Sequence, residues 1–189
     1  MDNPSDKVYT PDFIVEDVLH HFKDTFNPSQ DKVLEPFRGN TSLEGGGAFY
    51  NKIQNIFQNK VDWCEIDEGV DFFDYDNNVD WIITNPPYSI FKEVLPKCLE
   101  VANHNIFVIP VNKLLSSMPR LMDIKKAGCG IKEVYYLGSG RQLGFPFGFP
   151  VAAVYIQKGW NEGWYTETYH ERCYKAKKKG RINELQNYN

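Results

Sequence analysis

The segment Asn85-Pro86-Pro87-Tyr88 follows a short apolar run and combines a side-chain amide, two prolines and an aromatic ring. Each proline fixes φ and removes a backbone N–H, so the segment should form a stiff rim at the end of a strand. The Asn85 amide oxygen and the Pro86 carbonyl could then accept both hydrogen bonds of an amino group. This would favour a pyramidal nitrogen that attacks an electrophilic methyl group in line, which is catalysis by positioning. Tyr88 could stack on the planar group that carries the amine.

The spacing of apolar residues predicts the elements that hold this rim. Helices are expected from about residue 11 to 22 and at 48–58, 90–101 and 116–126, and strands at 33–37, 61–67, 79–84, 105–111, 131–137 and 151–157. Apolar strands that alternate with helices indicate a parallel sheet covered on both faces, whereas the last two strands, with no helix between them, should pair antiparallel. The predicted fold class is α/β, a doubly wound, mostly parallel sheet with one antiparallel strand near an edge. In such sheets a ligand lies beyond the carboxyl ends of the strands.

Two further features fall at such strand ends. The glycine-rich loop at residues 38–47 would let backbone approach a ligand closely, although its spacing is not the dinucleotide fingerprint G-x-G-x-x-G. Glu65 ends the second predicted strand and could accept hydrogen bonds from both ribose hydroxyls of a nucleoside-containing cofactor. Asp67 would point the same way from an extended chain. A plain surface loop and a solvated strand end are the alternative interpretations.

The loop between the last two predicted strands, residues 138–150, contains Arg141, Phe145, Phe147 and Phe149. Aromatic rings and an arginine could support a base that is swung out of its stack. Packing against the core is the alternative interpretation.

Composition predicts one catalytic domain, residues 1–160, followed by a basic and flexible extension, residues 161–189. The 189 residues are 42% apolar with a net charge of −4, and no apolar run is long enough to span a membrane. The polar, acidic start lacks the pattern of a secretory signal, which favours the cytoplasm of a bacterium or of an infected host. The extension could neutralise phosphates or remain a solvated terminus; its basic residues are Arg172, Lys175, Lys177, Lys178, Lys179 and Arg181.

Metal binding is not expected. The four cysteines are far apart in sequence and form no C-x-x-C pair. His20 and His21 are adjacent on a predicted helix and so point in different directions, and His170 with Cys173 has no further ligands nearby in the sequence.

Taken in order, these motifs resemble those of the class I amino-methyltransferases, over roughly residues 8–158. The segments that carry the resemblance are Thr10-Pro11, Glu35-Pro36-Phe37 with its glycine loop, Glu65-Ile66-Asp67, Asp71-Phe72-Phe73 and Asn85-Pro86-Pro87-Tyr88. The chain is most similar to the N6-adenine DNA methyltransferases that place the cofactor region ahead of the catalytic motif. The resemblance implies a Rossmann-like seven-stranded sheet, S-adenosylmethionine as cofactor and DNA as partner, with RNA as a second possibility. A restriction-modification or phage origin would suit so compact a chain.

The resemblance also implies the roles of individual residues. The methionine end of the cofactor would be held by Tyr9, Thr10, Pro11, Glu35, Pro36, Phe37, Gly39 and Gly46. Glu65 would hold the ribose, Ile66 and Phe72 would pack on the cofactor's adenine, and Asp71 would accept from its amine. Asn85, Pro86, Pro87 and Tyr88 would carry the transfer, and Asn85 would also contact the cofactor. The substrate would contact Tyr88, Arg141, Phe145 and Phe147.

The sequence departs from the family pattern in two ways. Residues 40–45 look like an insertion ahead of Gly46-Gly47, which leaves open which glycine touches the cofactor. The chain also has no room for the separate target-recognition domain of most DNA enzymes of this family, so sequence specificity would be slight or come from a partner subunit. The alternatives are the same chemistry on RNA adenine or on a protein glutamine amide, and a non-catalytic subunit that only binds cofactor or nucleic acid.

Overall fold

A single seven-stranded sheet forms the centre of the protein. The computed structural model describes residues 8–43, 46–58, 60–162 and 166–170. The strands are β1 (Val33–Glu35), β2 (Asp62–Trp63), β3 (Val79–Thr84), β4 (Ala102–Pro110), β5 (Cys129–Ser139), β6 (Pro150–Lys158) and β7 (Thr166–Tyr169). Their order is β2-β1-β3-β4-β6-β5-β7. Because β6 is antiparallel to both its neighbours and every other pair is parallel, the predicted fold class is confirmed.

Helices cover both faces of this sheet. They are α1 (Asp12–Phe22), α2 (Ala48–Gln54), α3 (Phe91–Val101), α4 (Val111–Leu114) and α5 (Met118–Lys126). The apolar residues of α1 and α2 pack in one core cluster, and those of α3 and α5 pack in a second cluster across the sheet. Strand β3 is apolar at nearly every position because it serves both clusters: Trp81 and Ile83 enter the first and Ile82 the second.

The structure corrects the predicted second strand. The prediction extended it over residues 61–67, but β2 ends at Trp63 and residues Ile66–Glu68 form a 3₁₀ turn. The Glu65 carboxylate accepts a hydrogen bond from the Asp67 backbone N–H, and Gly69 closes the turn at φ 79°. Asp67 therefore does not lie on an extended chain. Helix α2 is also shorter than predicted, since it ends at Gln54 instead of residue 58.

Strand order reverses between β1 and β3. After β1 the chain continues to β2, which pairs on one side of β1, whereas β3 and then β4 lie on the other side of β1. Parallel strands end at the same edge of the sheet, so Glu35 at the end of β1 and Asn85 just after β3 lie at one crevice. This is the position where doubly wound sheets bind their ligands.

Strand β7 adds an edge to the sheet beyond the predicted domain boundary at residue 160. It pairs parallel with β5, and the Glu133 carboxylate on β5 accepts hydrogen bonds from Thr168 at 2.7 Å and from His21 on α1 at 2.6 Å. The boundary itself stays a prediction, because residues 171–189, with the basic cluster and Cys173, lie outside the described residues. Within the described part of the chain, no helix has the length and apolar character needed to cross a membrane.

Asn105 is a buried polar residue at the centre of the sheet. It lies between Ile82 and Ile156 on the neighbouring strands, is fully buried, and neither its amide nitrogen nor its oxygen has a hydrogen-bond partner. An unsatisfied buried amide costs about 1–3 kcal/mol. We therefore expect Asn105→Leu, which keeps the branched shape at a larger volume and removes the polar atoms, to raise the free energy of unfolding in urea by about 1 kcal/mol. The matched change at exposed Asn112 should leave it nearly unchanged, and a loss of stability in Asn105→Leu would contradict the interpretation.

Candidate functional site

The Asn85 side chain is held from both ends at the carboxyl edge of β3. Its amide nitrogen donates to the Val8 carbonyl at 2.9 Å, and its oxygen accepts from the Tyr88 hydroxyl at 2.7 Å. These two partners fix which end of the amide is oxygen, since a carbonyl can only accept. The Tyr88 hydroxyl uses one acceptor position of Oδ1, and an amide oxygen has two. The amide is therefore oriented before any ligand arrives.

Tyr88 occupies a different environment from the one the sequence predicts. Its ring is 9% exposed, belongs to the core cluster beneath α3 and meets the edge of Phe147 with 5.9 Å between the ring centroids. Its hydroxyl orients Asn85. Tyr88 and Pro86 do not line the large pocket of the site, whereas Asn85 and Pro87 do.

That pocket has a volume of about 390 Å³ and opens at the reversal of strand order. Nine of the residues predicted to bind a cofactor line it together: Tyr9, Pro36, Phe37, Gly39, Glu65, Ile66, Asp71, Phe72 and Asn85. These residues come from five separate stretches of sequence. Motifs that are separate along the chain therefore form one continuous wall of the pocket.

Two carboxylates of the wall each cap a turn with one oxygen. Glu65 Oε1 accepts from the Asp67 N–H at 3.0 Å, and Asp71 Oδ1 accepts from the Phe73 N–H at 2.9 Å. The backbone therefore holds each carboxylate in place, while each retains a second oxygen for a ligand. Fixed acceptors of this kind suit the hydroxyl and amino groups of a nucleoside.

The outer part of the same wall is apolar and exposed. Ile66 is 61% exposed, and Val70, Phe73 and Ile90 are also exposed large apolar side chains that line the pocket. Phe37 meets Phe72 edge to face at 5.3 Å deeper in the wall. Apolar side chains gathered around a concave site bury a flat hydrophobic ligand favourably.

A second, smaller pocket of about 40 Å³ adjoins the first. The two pockets share Val8, Tyr9, Phe37 and Asn85, and the smaller one is also lined by Thr10, Glu35 and Arg38. Thr10 Oγ1 and Arg38 Nε are buried without a hydrogen-bond partner. Buried polar atoms are rarely left unpaired, so these two atoms mark a place for a small polar group.

Glu35 contributes a buried carboxyl to the small pocket. Its Oε1 accepts from the Thr84 hydroxyl at 2.5 Å and from the Phe37 N–H at 3.0 Å. Burial raises the pKa of Glu35 to about 8, against these two hydrogen bonds, which favour the ionised form, and with a smaller contribution from the nearby Glu65 carboxylate. Glu35 therefore carries a proton at neutral pH. Thr84 directly precedes Asn85, so this hydrogen bond also ties the ends of β1 and β3 together.

Of the two glycines predicted to contact the cofactor, Gly39 lines the large pocket and Gly46 does not. Gly39 lines the large pocket at φ +74°, and a Cβ there would come within 2.8 Å of the Tyr9 ring. Gly46 lines neither pocket, because it packs against the backbone of Asn40, whose carbonyl a Cβ would meet at 1.8 Å. Pro11 lies outside both pockets as well, where its carbonyl begins α1.

The loop between β5 and β6 brings an aromatic row next to Tyr88. Phe147 stacks on Phe145 at 5.3 Å and is half-buried, and Arg141 is exposed on the same loop. Phe145 itself is 3% exposed in the core, so in this structure it supports Phe147 and does not face a ligand. Of the four residues predicted to contact the substrate, Arg141 and Phe147 are the two whose side chains are not buried.

Charge is divided along the carboxyl edge of the sheet. Carboxylates line the pocket beside β1 and β2, whereas the elements that follow the carboxyl ends of β3, β4 and β5 carry Lys92, Lys113, Arg120 and Arg141. Among the described residues, none of these four cations has a carboxylate within ion-pair distance. Glu93 is the one acidic neighbour at the start of α3.

Comparison with known proteins identifies the fold. No model of a known protein family matches the sequence, and neither does any curated protein. A proposed class I S-adenosylmethionine-dependent methyltransferase from Listeria monocytogenes gives a TM-score of 0.61 at 11% identity, over 89% of this chain and 67% of its own. A proposed RNA methyltransferase from Pyrococcus horikoshii gives 0.59 at 13% identity, over 84% and 90%. The modification subunit of a proposed type I restriction enzyme from Vibrio vulnificus gives 0.56 at 13% identity, over 96% of this chain and 55% of that subunit.

The protein has the class I methyltransferase fold. At these identities the likeness concerns the fold alone, which does not define a substrate. In this chain the class I methyltransferase fold places the large pocket beside the ends of β1, β2 and β3.

Several pocket residues escaped the sequence analysis. Val70, Ser89 and Ile90 line the large pocket without belonging to a recognised motif, and Asn40 and Phe73 line it from recognised segments in which they were given no role. Val8 acts through its backbone carbonyl, which no side-chain pattern reveals. The exposed apolar residues had a signal, because Ile66, Val70 and Phe73 fall within eight consecutive residues among acidic ones. Exposed apolar residues that lie so close together are unusual outside binding sites.

Proposed function

We propose that the protein is an S-adenosylmethionine-dependent methyltransferase that methylates the exocyclic amine of adenine in DNA. The observation that carries the proposal is the Asn85 amide, oriented by the Val8 carbonyl and the Tyr88 hydroxyl at the mouth of a nucleoside-sized pocket. Preorganised acceptors of this kind stabilise developing charge without reorganisation during the reaction.

The residues of the two pockets fit the proposed cofactor. The unpartnered Thr10 hydroxyl and the small pocket suit the charged amino-acid end, and Glu65 and Asp71 offer fixed acceptors to a ribose and an adenine amine. Ile66, Phe72 and Phe37 supply apolar surface for the adenine ring. When bound, S-adenosylmethionine would supply an electrophilic methyl group on a sulfonium sulfur.

The chain's own part in the transfer is to position the amine. Asn85 Oδ1 retains one acceptor position, and the Pro86 carbonyl would accept the second N–H. With both N–H groups of the amine held in this way, its lone pair would accept no hydrogen bond and would point towards the pocket. This would bring the reacting atoms into line. Tyr88 fixes the amide, and the half-buried Phe147 beside it offers the ring surface for the substrate base.

The distribution of charge supports a polyanionic substrate. Four cations with no ion pair among the described residues lie on the elements that follow the carboxyl ends of β3, β4 and β5, although the whole chain has a net charge of −4. Local fields, more than net charge, govern binding to a polyanion. The likeness to a restriction-enzyme modification subunit favours DNA, while the likeness to a proposed RNA methyltransferase keeps RNA adenine as the second candidate.

Transfer of labelled methyl from S-adenosylmethionine tests the proposal. Unmethylated genomic DNA, total RNA and total protein are each incubated with the protein, digested and analysed for the methylated product. N6-methyladenine in DNA is the expected result. Label in RNA or in protein glutamine would move the substrate and keep the chemistry, and no label in any of the three would favour a non-catalytic subunit or the need for a recognition partner.

Arg141 is expected to contact phosphate without reading sequence. Arg141→Gln should weaken binding of unrelated oligonucleotides uniformly and lower the slope of log K against log salt by about 1. Lys158→Gln is the matched control, since Lys158 ends β6 at the opposite edge of the sheet and is exposed. Fluorescence anisotropy at several salt concentrations measures both. Equal slopes for the two variants would contradict the contact between Arg141 and phosphate.

A further inference from the structure

The loop between β5 and β6 carries a second aromatic ring that the proposed transfer does not use. Phe147 lies 5.9 Å from Tyr88, and Phe149 lies 6.5 Å from Phe147, both measured between ring centroids. Exposure rises along these three rings: Tyr88 is 9% exposed, Phe147 is half-buried and Phe149 is 53% exposed. The proposed function gives Phe147 one base of the substrate and leaves Phe149 without a role.

The backbone of the loop holds these outer rings, Phe147 and Phe149, in place. The Gly140 N–H donates to the Phe149 carbonyl at 2.9 Å, and the Ser139 hydroxyl donates to the Gly148 carbonyl at 3.2 Å. A Cβ at Gly140 would come within 2.8 Å of the Phe147 ring, so that ring lies directly on the backbone. The outer rings therefore form a preorganised surface, which a flat ligand can bind with little loss of conformational freedom.

A cation lies beside the outer rings. Gly148 separates the two phenylalanines in sequence, and a Cβ there would lie 3.7 Å from Nε of Arg141. The arginine side chain therefore passes over the backbone that joins the rings. Arg141 is exposed and has no ion pair among the described residues. Two flat rings with a cation between them match two consecutive nucleotides, whose bases stack on aromatic rings and whose linking phosphate attracts a cation.

The spacing of the outer rings suits an extended strand better than a duplex. Successive bases of a duplex strand rise by about 3.4 Å and cover each other's faces, whereas the two ring centroids are 6.5 Å apart. A duplex that swings out one base would free a base face for Phe147 and none for Phe149. An unpaired strand offers free faces on both nucleotides, and its target base does not have to be unpaired first.

We propose that the substrate is an unpaired stretch of DNA, with the target adenine on Phe147 and the neighbouring base on Phe149. This inference rests on the proposed function, which supplies the reaction and the role of Phe147. Arg141 neutralises the phosphate between the two nucleotides. Stacking on an aromatic ring tolerates every base, so the neighbouring base is held without its sequence being read.

Fluorescence anisotropy with three labelled oligomers of equal length tests the proposal, at physiological ionic strength and with S-adenosylhomocysteine present. The oligomers are a DNA strand with one adenine among thymines, the same strand annealed to its complement, and an abasic strand that keeps the phosphates without the bases. The unaltered protein should bind the single strand about 10-fold more tightly than the duplex or the abasic strand, because only the single strand offers two free base faces.

Substitutions of Phe149 identify the stacking contact. Phe149→Ala should weaken binding of the single strand by about 5- to 100-fold and leave the other two affinities within about twofold. Phe149→Tyr keeps an aromatic face and should retain the affinity, whereas Phe149→Leu keeps apolar bulk without that face and should lose most of it. Met122→Ala is the matched control, because it shortens another exposed apolar side chain, 43% exposed on α5, and should change none of the affinities.

Methyl transfer gives a second readout. In Phe149→Ala the KM for the single strand should rise by about the same factor as its Kd, while kcat stays within about twofold, because the ring contacts the neighbouring base and not the reacting one. Heat-denatured genomic DNA should accept methyl faster than the same DNA left native.

The outcomes separate this inference from the proposed function. Faster methylation or tighter binding of the duplex overturns the inference and leaves the proposed function standing. An equal loss of affinity for the single and abasic strands in Phe149→Ala also overturns it, as does full affinity in Phe149→Leu, which would make Phe149 a general apolar contact. Binding of the single strand that depends on Phe149, with no methylation of either DNA, overturns the proposed function and leaves the surface for an unpaired strand.

Discussion

Asn85→Ala should lower kcat by about 10²- to 10³-fold, the usual cost of removing one preorganised hydrogen-bonding group from an active site. Alanine removes the oxygen that would hold the amine and also frees the Tyr88 hydroxyl and the Val8 carbonyl from their partner. The cofactor contacts assigned to Glu65 and Asp71 do not involve this side chain. Affinity for S-adenosylmethionine should therefore change little, which equilibrium binding and single-turnover kinetics together would measure.

Two variants accompany Asn85→Ala. Asn112→Ala changes an exposed asparagine on α4 and should leave turnover intact. Tyr88→Phe keeps the ring and removes only the hydroxyl that orients the amide, so we expect a smaller loss of about 10-fold. Full turnover in Asn85→Ala would show that the catalytic assignment is wrong.

Glu65→Gln should weaken cofactor binding roughly 10- to 100-fold, since hydrogen bonds to a charged group contribute about 1.5–3 kcal/mol. Glutamine can still accept from the Asp67 N–H through its amide oxygen, so the 3₁₀ turn keeps its cap. The change therefore tests the second oxygen, which we assign to the ribose hydroxyls. Isothermal titration with S-adenosylhomocysteine measures the loss directly.

The control for this change is Asp74→Asn, which alters a nearby exposed carboxylate that does not line the pocket. It should leave the affinity within about twofold, because an exposed charge outside the site contributes little. An unaltered affinity in Glu65→Gln, or an equal loss in both variants, would remove Glu65 from the ribose site.

The periodicity of the chain predicted most of the sheet and its helices because β3 to β6, α1 and α3 have strong apolar patterns. The prediction failed where a few polar contacts outweigh pattern. Glu65 turns the chain by capping Asp67, and this ends the second strand four residues early. Strand β7 was not predicted, since its position depends on hydrogen bonds from His21 and Thr168 to Glu133, far away in sequence.

The site was only partly predictable for the same reason. Nine residues that the order of motifs predicted to bind the cofactor line one pocket. The order of motifs could not reveal that Gly46 packs against Asn40 or that Phe145 lies in the core. The contact between Asn85 and Val8 joins residues 77 positions apart through a backbone carbonyl, which has no signature in sequence. The assigned roles of these residues remain predictions.

The same contact has a consequence for how the site assembles during folding. Contacts between residues far apart in sequence carry a large loop-closure entropy and tend to form late. Asn85 directly follows β3, whereas Val8 precedes α1, so the strands can associate before the segment around Val8 closes over them. In a folding intermediate whose central strands are already paired, the Asn85 amide would therefore lack its hydrogen bond to the Val8 carbonyl. The Asn85 amide would take its observed orientation only once the segment around Val8 has docked.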